Sequence, residues 1–251
     1  MKQYILTHGN ILTMKDRTIK YDTDILIRDG KIQKIGRNLT VSAAQEAAGP
    51  MNGLNGKADA WKCEADALNG ETKILDISGR YVIPGLIDSH CHYDADYMGK
   101  MFLACGVTSV RNMRGYKRHA EYAAETLAGK RTGPYIYSSG PIYDGEDPSI
   151  PDNSNEIIRT EADVEQAIEY TIRNEFLWLK TYPSIEPELY RYLLKRARQQ
   201  GLPVCGHMSK KLDDKVLADE GYYCCEHSSS LPSHKADIRY LAEAGMWFTP
   251  T

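Results

Sequence analysis

Four histidines and one lysine in this 251-residue chain stand at or beside the ends of apolar runs, where a strand would end. His90 and His92 are two residues apart at the end of one such run. Side chains at positions i and i+2 of a strand project from the same side. We therefore expect both imidazoles to reach one metal ion together, with Cys91 turned away from it.

The other three residues end separate apolar runs, with helix-like segments between them. Lys180 ends the first, His207 the second and His227 the third. Alone, each histidine would more often have a structural role, and the lysine could simply extend to solvent. Their repeated placement at strand ends favours one shared site, because parallel-barrel enzymes place their chemistry at the carboxyl ends of the strands.

From Tyr81 onward the sequence alternates strand-like and helix-like segments, a pattern typical of parallel strands with right-handed crossovers. Thr160 and Asp163 form a capping-box pattern, and a glycine follows each of three later predicted helices. No GxGxxG motif follows the first strand, which disfavours a dinucleotide-binding fold. Seven strands are predicted, over Val82–Ile87, Val107–Met113, Tyr135–Ser138, Leu177–Tyr182, Pro203–His207, Tyr222–His227 and Met246–Thr249.

These elements predict an α/β fold: an incomplete TIM-like (β/α) barrel with about seven strands, over residues 76–251. Residues 1–75 predict a small N-terminal β unit, with a hairpin turn at Asp29-Gly30. A stretch near 41–72, rich in Ala, Gly, Asn and Glu, predicts a loop insertion, with a short amphipathic helix as the alternative for part of it.

Composition and charge limit the kinds of partner. The formal net charge is −3 and 42% of residues are hydrophobic, which gives no electrostatic footprint for nucleic acid or a membrane surface. Six cysteines lie mostly in apolar segments without a CxxC motif, and no signal peptide pattern opens the chain. We expect free thiols, a cytoplasmic location and a small-molecule substrate, and a homo-oligomer stays open.

Two segments carry a family resemblance. The run from Val82 to His92 resembles the first-strand signature of the amidohydrolase superfamily, and Gly106 to Met113 resembles its second strand in the imidazolonepropionase-like and Xaa-Pro dipeptidase-like branch. The resemblance implies that the N-terminal unit is the first part of a β-sandwich beside the barrel. It also implies a metal-dependent hydrolase acting on carbon–nitrogen bonds.

The resemblance assigns a role to each residue. His90 and His92 match ligands of a more buried metal, and His207 and His227 match ligands of a more exposed one. Lys180 matches a lysine that is carbamylated and bridges the two ions. One or two divalent ions are implied, zinc in the first place, although imidazole also suits iron or nickel. A metal-bound hydroxide would attack an amide, cyclic amide or other C–N bond, with Lys180, His207 and His227 as catalytic groups.

One departure from the family is expected to matter. The family has a catalytic aspartate at the end of its eighth strand, and no position here matches it. We therefore expect a C-terminally truncated chain, and an active enzyme and an inactive fragment both stay open. Two alternatives stay open: a mononuclear deaminase that does not need Lys180, and a non-catalytic remnant that binds metal or a partner. The acidic loop from Pro141 to Arg159 predicts either a contact for a cationic substrate or, more often, a solvated surface.

Overall fold

A computed structural model describes residues 3–39, 72–148, 154–232 and 234–251 of the chain. These residues form two compact units, Met1–Pro84 and Gly85–Thr251. The predicted boundary lies nine residues earlier, between 75 and 76. The difference arises because Tyr81–Val82 pairs with the first strand of the N-terminal sheet instead of opening the second unit.

The N-terminal unit contains a five-stranded sheet. Its strands are β1 (Gln3–Ile11), β2 (Lys20–Arg28), β3 (Lys31–Gly36), β4 (Thr72–Asp76) and β5 (Tyr81–Val82). β1 pairs antiparallel with β2 and parallel with β4 and β5, while β2 and β3 form an antiparallel hairpin. Arg28 lies opposite Lys31 across that hairpin, so the predicted turn at Asp29-Gly30 is confirmed.

Ile5 and Leu26 are buried on one side of this sheet and form the centre of its small core. The sandwich that the N-terminal unit would contribute to stays a prediction, since the described strands make one sheet. The predicted insertion lies outside the described residues, except for Thr72, which begins β4. Cys63 lies outside them as well.

The second unit alternates parallel strands with helices. Its strands are β6 (Leu86–Cys91), β7 (Val107–Asn112), β8 (Tyr135–Ser138), β9 (Ile142–Asp144), β10 (Glu156–Ile157), β11 (Leu179–Thr181), β12 (Val204–Gly206), β13 (Cys224–Glu226) and β14 (Trp247–Thr249). Its helices are α1 (Met98–Ala104), α2 (Lys117–Leu127), α3 (Glu161–Arg173), α4 (Pro187–Gln199), α5 (Asp214–Asp219) and α6 (Lys235–Glu243), with a 3₁₀ turn at Ser228–Ser230.

The strands of the second unit form two parallel sheets, in the orders β6-β7-β8 and β10-β9-β11-β12-β13-β14. Where β8 passes into β9, the backbone of Ser138 accepts a hydrogen bond from Leu177 at 3.0 Å, and Gly140 donates one to Trp178 at 3.3 Å. These two hydrogen bonds link the segment that carries β8 and β9 to the residues just before β11. Six of the seven predicted parallel strands are present in the predicted order, and the first, Val82–Ile87, overlaps β6 only at its last two residues. Closure of the strands into a barrel stays a prediction.

Helices cover one face of the larger sheet. Leu179, Val204 and Cys225 point into a core that also holds Val164, Tyr190 and other buried residues of the helices. The sequence capping signal of α3 is confirmed, because Thr160 Oγ1 accepts a hydrogen bond from the backbone N–H of Asp163 at 3.3 Å. Burial of these apolar faces leaves the opposite face of the strands to carry polar side chains.

Two details differ from the sequence prediction. The predicted strand Val82–Ile87 divides at Ile83-Pro84-Gly85, because proline cannot donate a hydrogen bond to a sheet. Two short strands, β9 and β10, lie in the segment predicted as a loop. Within the described ranges, no helix has both the length and the apolar character needed to cross a membrane.

Candidate functional site

The five predicted residues come together at the carboxyl ends of the parallel strands. Their rings form a series in which His90 lies 5.8 Å from His92 and 4.5 Å from His227, measured between ring centroids. The His227 ring lies 4.5 Å from that of His207, which lies 4.5 Å from the ring of Tyr182. Lys180 Nζ lies 5.8 Å from the centroid of that tyrosine ring.

Strand alternation explains how the sequence builds this face. In β11, Leu179 packs into the helix-covered core, so Lys180 projects from the opposite side. In β13, Cys225 packs with the helices while Cys224 joins Met113, Cys205 and Trp178 in a separate small cluster. The prediction that Cys224 and Cys225 face opposite sides is therefore confirmed. Cys91 packs with Tyr93 and Val110, away from His90.

Two residues of the site were not identified from the sequence. Glu226 is fully buried and accepts a hydrogen bond from His90 Nδ1 at 2.7 Å and from Arg111 Nη1 at 2.6 Å. The guanidinium of Arg111 also stacks on Trp178, 4.7 Å from the ring centroid. A buried carboxylate of this kind requires a paired positive charge, and the only sequence signal for it was an acidic residue inside an apolar strand.

Glu226 and His227 are adjacent in sequence, yet both side chains lie beside His90. Alternation would place neighbouring side chains on opposite faces, but β13 ends at Glu226 and His227 has a φ of 72°. That left-handed backbone turns the His227 ring back toward the face on which Glu226 lies. Alternation therefore holds through Glu226, the last residue of β13, and fails at His227.

Lys180 is a buried amine without a hydrogen bond. Its side chain is fully enclosed, and its Nζ makes no hydrogen bond within the described residues. Burial, the largest cause, lowers the pKa of Lys180 from 10.5 to about 8, and the charge of Arg111 acts in the same direction. The alternative that this lysine extends to solvent is therefore wrong.

Three imidazoles of the site, those of His92, His207 and His227, are held in their neutral forms. Burial, followed by the charge of Lys180, lowers the pKa of His207 to about 3. Burial and the neighbouring His90 lower the pKa of His227 to about 4, and burial with Lys180 lowers that of His92. A neutral imidazole keeps a lone pair for a cation at neutral pH.

Glu226 is held in its charged form. Burial acts to raise the pKa of its carboxyl group, but the hydrogen bond from His90 and the charge of Arg111 outweigh this and lower the pKa to about 2. The site therefore combines one anion with neutral imidazoles and one readily deprotonated amine.

This donor set suits a divalent cation. Neutral imidazoles are common ligands of zinc. Buried polar groups normally have a hydrogen-bond partner, and the enclosed amine of Lys180 lacks one within the described residues. The imidazole rings lie close together, but they are not arranged as metal ligands. In the described residues, no group of three or more His, Cys, Asp or Glu side chains is arranged to hold a metal ion. Lys180 is not among those residue types, and it can ligate only after chemical conversion.

Two other polar residues, His119 and Asp144, have structural positions. His119 is buried, and its ring links the backbone N–H of Tyr116 at 2.9 Å to the carbonyl of Tyr93 at 2.7 Å. Asp144, expected in a solvated acidic loop, is fully buried and binds the backbone N–H groups of Gly145 and Ser184. Asp152, predicted in the same loop, lies outside the described residues.

The fold and the converging histidines place the chain in a class of proteins: parallel β/α proteins with a polar site at the carboxyl ends of the strands. Residues 81–251 match the model of the amidohydrolase family, and the chain belongs to that family. The family prediction from the first-strand motif is therefore confirmed.

Comparisons with individual proteins agree with this assignment. The chain is 33% identical over 95 residues to a D-hydantoinase of Geobacillus stearothermophilus, a match covering 38% of this chain and 14% of that protein. Its fold is similar to that of a bottromycin amidohydrolase (TM-score 0.68, 18% identity, 96% of this chain and 48% of the other). It is also similar to a putative prolidase from Bifidobacterium longum (TM-score 0.65, 22% identity, 95% and 57%). The chain spans about half of the length of these two solved proteins.

Proposed function

We propose that this chain carries the metal-binding part of a hydrolase that acts on carbon–nitrogen bonds. The observation that supports it most directly is the enclosed, unpartnered amine of Lys180 among neutral imidazoles. A folded protein gains nothing in stability from such a lysine. The free-energy cost of burying this amine is explained if the amine has a role in the chemistry of the site.

The task that we propose for Lys180 is carbamylation. The neutral Nζ attacks the carbon of carbon dioxide, an N–C bond forms, one C–O π pair moves to oxygen, and the nitrogen releases a proton to solvent. With a pKa of about 8, roughly a tenth of the amine is neutral at pH 7, far more than for an exposed lysine. The product is an anion with two oxygen atoms, each able to accept a cation.

We assign the roles in holding cations to the four histidines and Lys180. His90 and His92 would hold one ion, His207 and His227 another, and the carbamate of Lys180 would join them. When bound, divalent ions of this kind polarise a carbonyl and lower the pKa of water. The neighbouring Tyr182 ring, 4.5 Å from His207, forms one wall against which a substrate would be oriented. We propose an amide or cyclic amide as the substrate.

Metal analysis with and without bicarbonate tests the proposal. The chelated chain is reloaded with Zn²⁺ at pH 8 in buffer free of carbon dioxide, or in buffer with added bicarbonate, and bound zinc is counted per chain. We expect bicarbonate to raise the zinc content of the natural chain but not of Lys180→Ala. The matched control is Lys210→Ala, because Lys210 is exposed. Near-zero zinc in both buffers, with the protein folded, would argue against the site.

The Lys180→Ala variant also separates the main rival function. A mononuclear deaminase on this scaffold needs no bridging lysine, so its zinc content would be the same in Lys180→Ala and in the natural chain. Hydrolysis of a hydantoin and of an Xaa-Pro dipeptide, the compounds after which two similar proteins are named, would then be compared with release of ammonia from an aminated ring.

A further inference from the structure

The Glu226 side chain is held in one position by hydrogen bonds to two neighbouring side chains. It is the last residue of β13 and is fully buried. Each of its two carboxylate oxygens already has a partner: Oε2 lies 2.7 Å from His90 Nδ1, and Oε1 lies 2.6 Å from Arg111 Nη1. These partners come from β6 and β7, at the far side of the set of strands. The carboxylate therefore joins three strands that are distant in sequence.

The contact with His90 fixes which ring nitrogen carries the proton. A carboxylate can accept a hydrogen bond and cannot donate one, so Nδ1 of His90 must be the protonated nitrogen. In the neutral ring, the remaining nitrogen, Nε2, then has the lone pair. Such a hydrogen bond also fixes the orientation of the ring and makes its free nitrogen more basic.

The contact with Arg111 keeps the carboxylate charged in a buried place. Arg111 is itself held in position by Trp178, with the guanidinium 4.7 Å from the ring centroid, and by the carbonyl of Ser89 at 3.3 Å. One carboxylate oxygen is therefore engaged by Arg111 and the other by His90. This arrangement suits a supporting role better than direct ligation.

We propose that Glu226 is a positioning residue that, supported by Arg111, holds the Nδ1–H of His90 and so presents Nε2 of that ring to a divalent cation. The inference rests on the proposed function for the cation itself. The assignment of the His90 tautomer depends only on the contacts of the metal-free protein.

The test uses a double variant that removes both buried charges together. Glu226→Leu alone would leave the guanidinium of Arg111 buried and unpaired, which could prevent folding. Glu226→Leu with Arg111→Met replaces the pair with apolar groups of similar size. The matched control is Glu220→Gln, which removes a carboxylate that pairs with Arg191 at the surface of α5.

Two readouts are measured on the full chain. Long-range ¹H–¹⁵N NMR of histidine-labelled, metal-free protein reports the tautomer of His90. Competition with a chromophoric chelator reports the affinity for Zn²⁺. We expect the Nδ1–H tautomer in the natural chain and in Glu220→Gln, and its loss in the double variant. Zn²⁺ affinity should fall in the double variant by about 10- to 100-fold.

The outcomes separate this inference from the proposed function. If the double variant keeps the Nδ1–H tautomer, or binds Zn²⁺ as tightly as the natural chain, the role of Glu226 is overturned while the metal site stands. If the natural chain binds no Zn²⁺, the proposed function fails and so does the cation-presenting role. The tautomer measurement then still shows whether Glu226 orients His90.

Discussion

The rings of His207 and His227 lie 4.5 Å apart at the ends of the adjacent strands β12 and β13. The amine of Lys180 lies beside these two imidazoles. Protonating all three groups would place like charges close together, and they would repel one another. Burial is the largest cause of their low pKa values, about 3 for His207 and about 4 for His227, and the neighbouring positive charges lower both further. The arrangement makes the metal-free protein sensitive to acid.

We predict that the metal-free chain loses stability as the pH falls below 6.5. Each of these histidines takes up a proton near pH 6.5 when unfolded but only near pH 3 to 4 when folded, so the unfolded state binds more protons between these values. The stability they contribute is complete above pH 6.5 and is lost as the pH falls through the folded pKa. Urea unfolding in the presence of chelator, from pH 7.5 to 4.5, measures this slope. His207→Gln should flatten it, and an unchanged slope in that variant would contradict the explanation.

We predict that Lys180→Met stabilises the metal-free chain. At pH 7 the folded protein must either bury an unpaired ammonium or release its proton, and methionine does neither. The expected gain in the free energy of unfolding is about 1–3 kcal/mol at pH 7. It should shrink as the pH rises from 8 toward 10.5, where the unfolded lysine also becomes neutral.

Urea unfolding in chelator and bicarbonate-free buffer measures the effect of Lys180→Met. The control is Lys210→Met, an apolar substitution at an exposed lysine, for which we expect little change. A Lys180→Met protein that is less stable than the natural chain at pH 7 would show that the amine has a stabilising partner.

The strand-end positions of the site could be predicted from sequence, because alternation along β6, β11 and β12 fixes which side chains share a face. Lys180 and His207 follow that rule. His227 reaches the site through a backbone with a φ of 72°, which a strand pattern does not specify. Glu226 was missed because its partner His90 is 136 positions away, and pairing over that distance depends on how seven strands are placed side by side.

The acidic segment after β9 shows the limit of composition as a guide. Its cluster of carboxylates is typical of a solvated loop, yet Asp144 is fully buried and joins the end of β9 to the segment after β11. A high density of charged residues predicts that a segment is exposed on average. A single carboxylate in that segment can still be buried, where it accepts hydrogen bonds from backbone N–H groups that would otherwise have no partner. Only the contacts of the individual residue distinguish the two cases.

We predict that Asp144→Ala destabilises the chain by about 2 kcal/mol, because it leaves the N–H groups of Gly145 and Ser184 without their acceptor. Asp144→Asn keeps an acceptor oxygen at the same place. Since burial raises the pKa of Asp144, losing the charge itself should cost little. Thermal unfolding at pH 7 compares the variants. Equal losses in Asp144→Asn and Asp144→Ala would show that the charge, and not the acceptor, is what matters.

Gly206 controls how closely β12 approaches β11. A Cβ atom added there would lie 2.1 Å from the carbonyl oxygen of Thr181 and 3.1 Å from Cδ of Lys180. The residue also has a φ of 139°, which side chains other than hydrogen rarely permit. It directly precedes His207, so a shift of this backbone would move the His207 ring and the Lys180 amine together.

We therefore predict that Gly206→Ala both destabilises the chain, by about 3 kcal/mol or more, and weakens Zn²⁺ binding. The matched control is Gly201→Ala: Gly201 also has a positive φ, 66°, but no atom lies within 4 Å of an added Cβ. That variant should lose only about 1 kcal/mol, the cost of the left-handed backbone alone. Urea unfolding and Zn²⁺ competition measure both quantities. If the two alanine variants lost the same stability and kept the same Zn²⁺ affinity, close contact between β11 and β12 would not be what sets the position of the site residues.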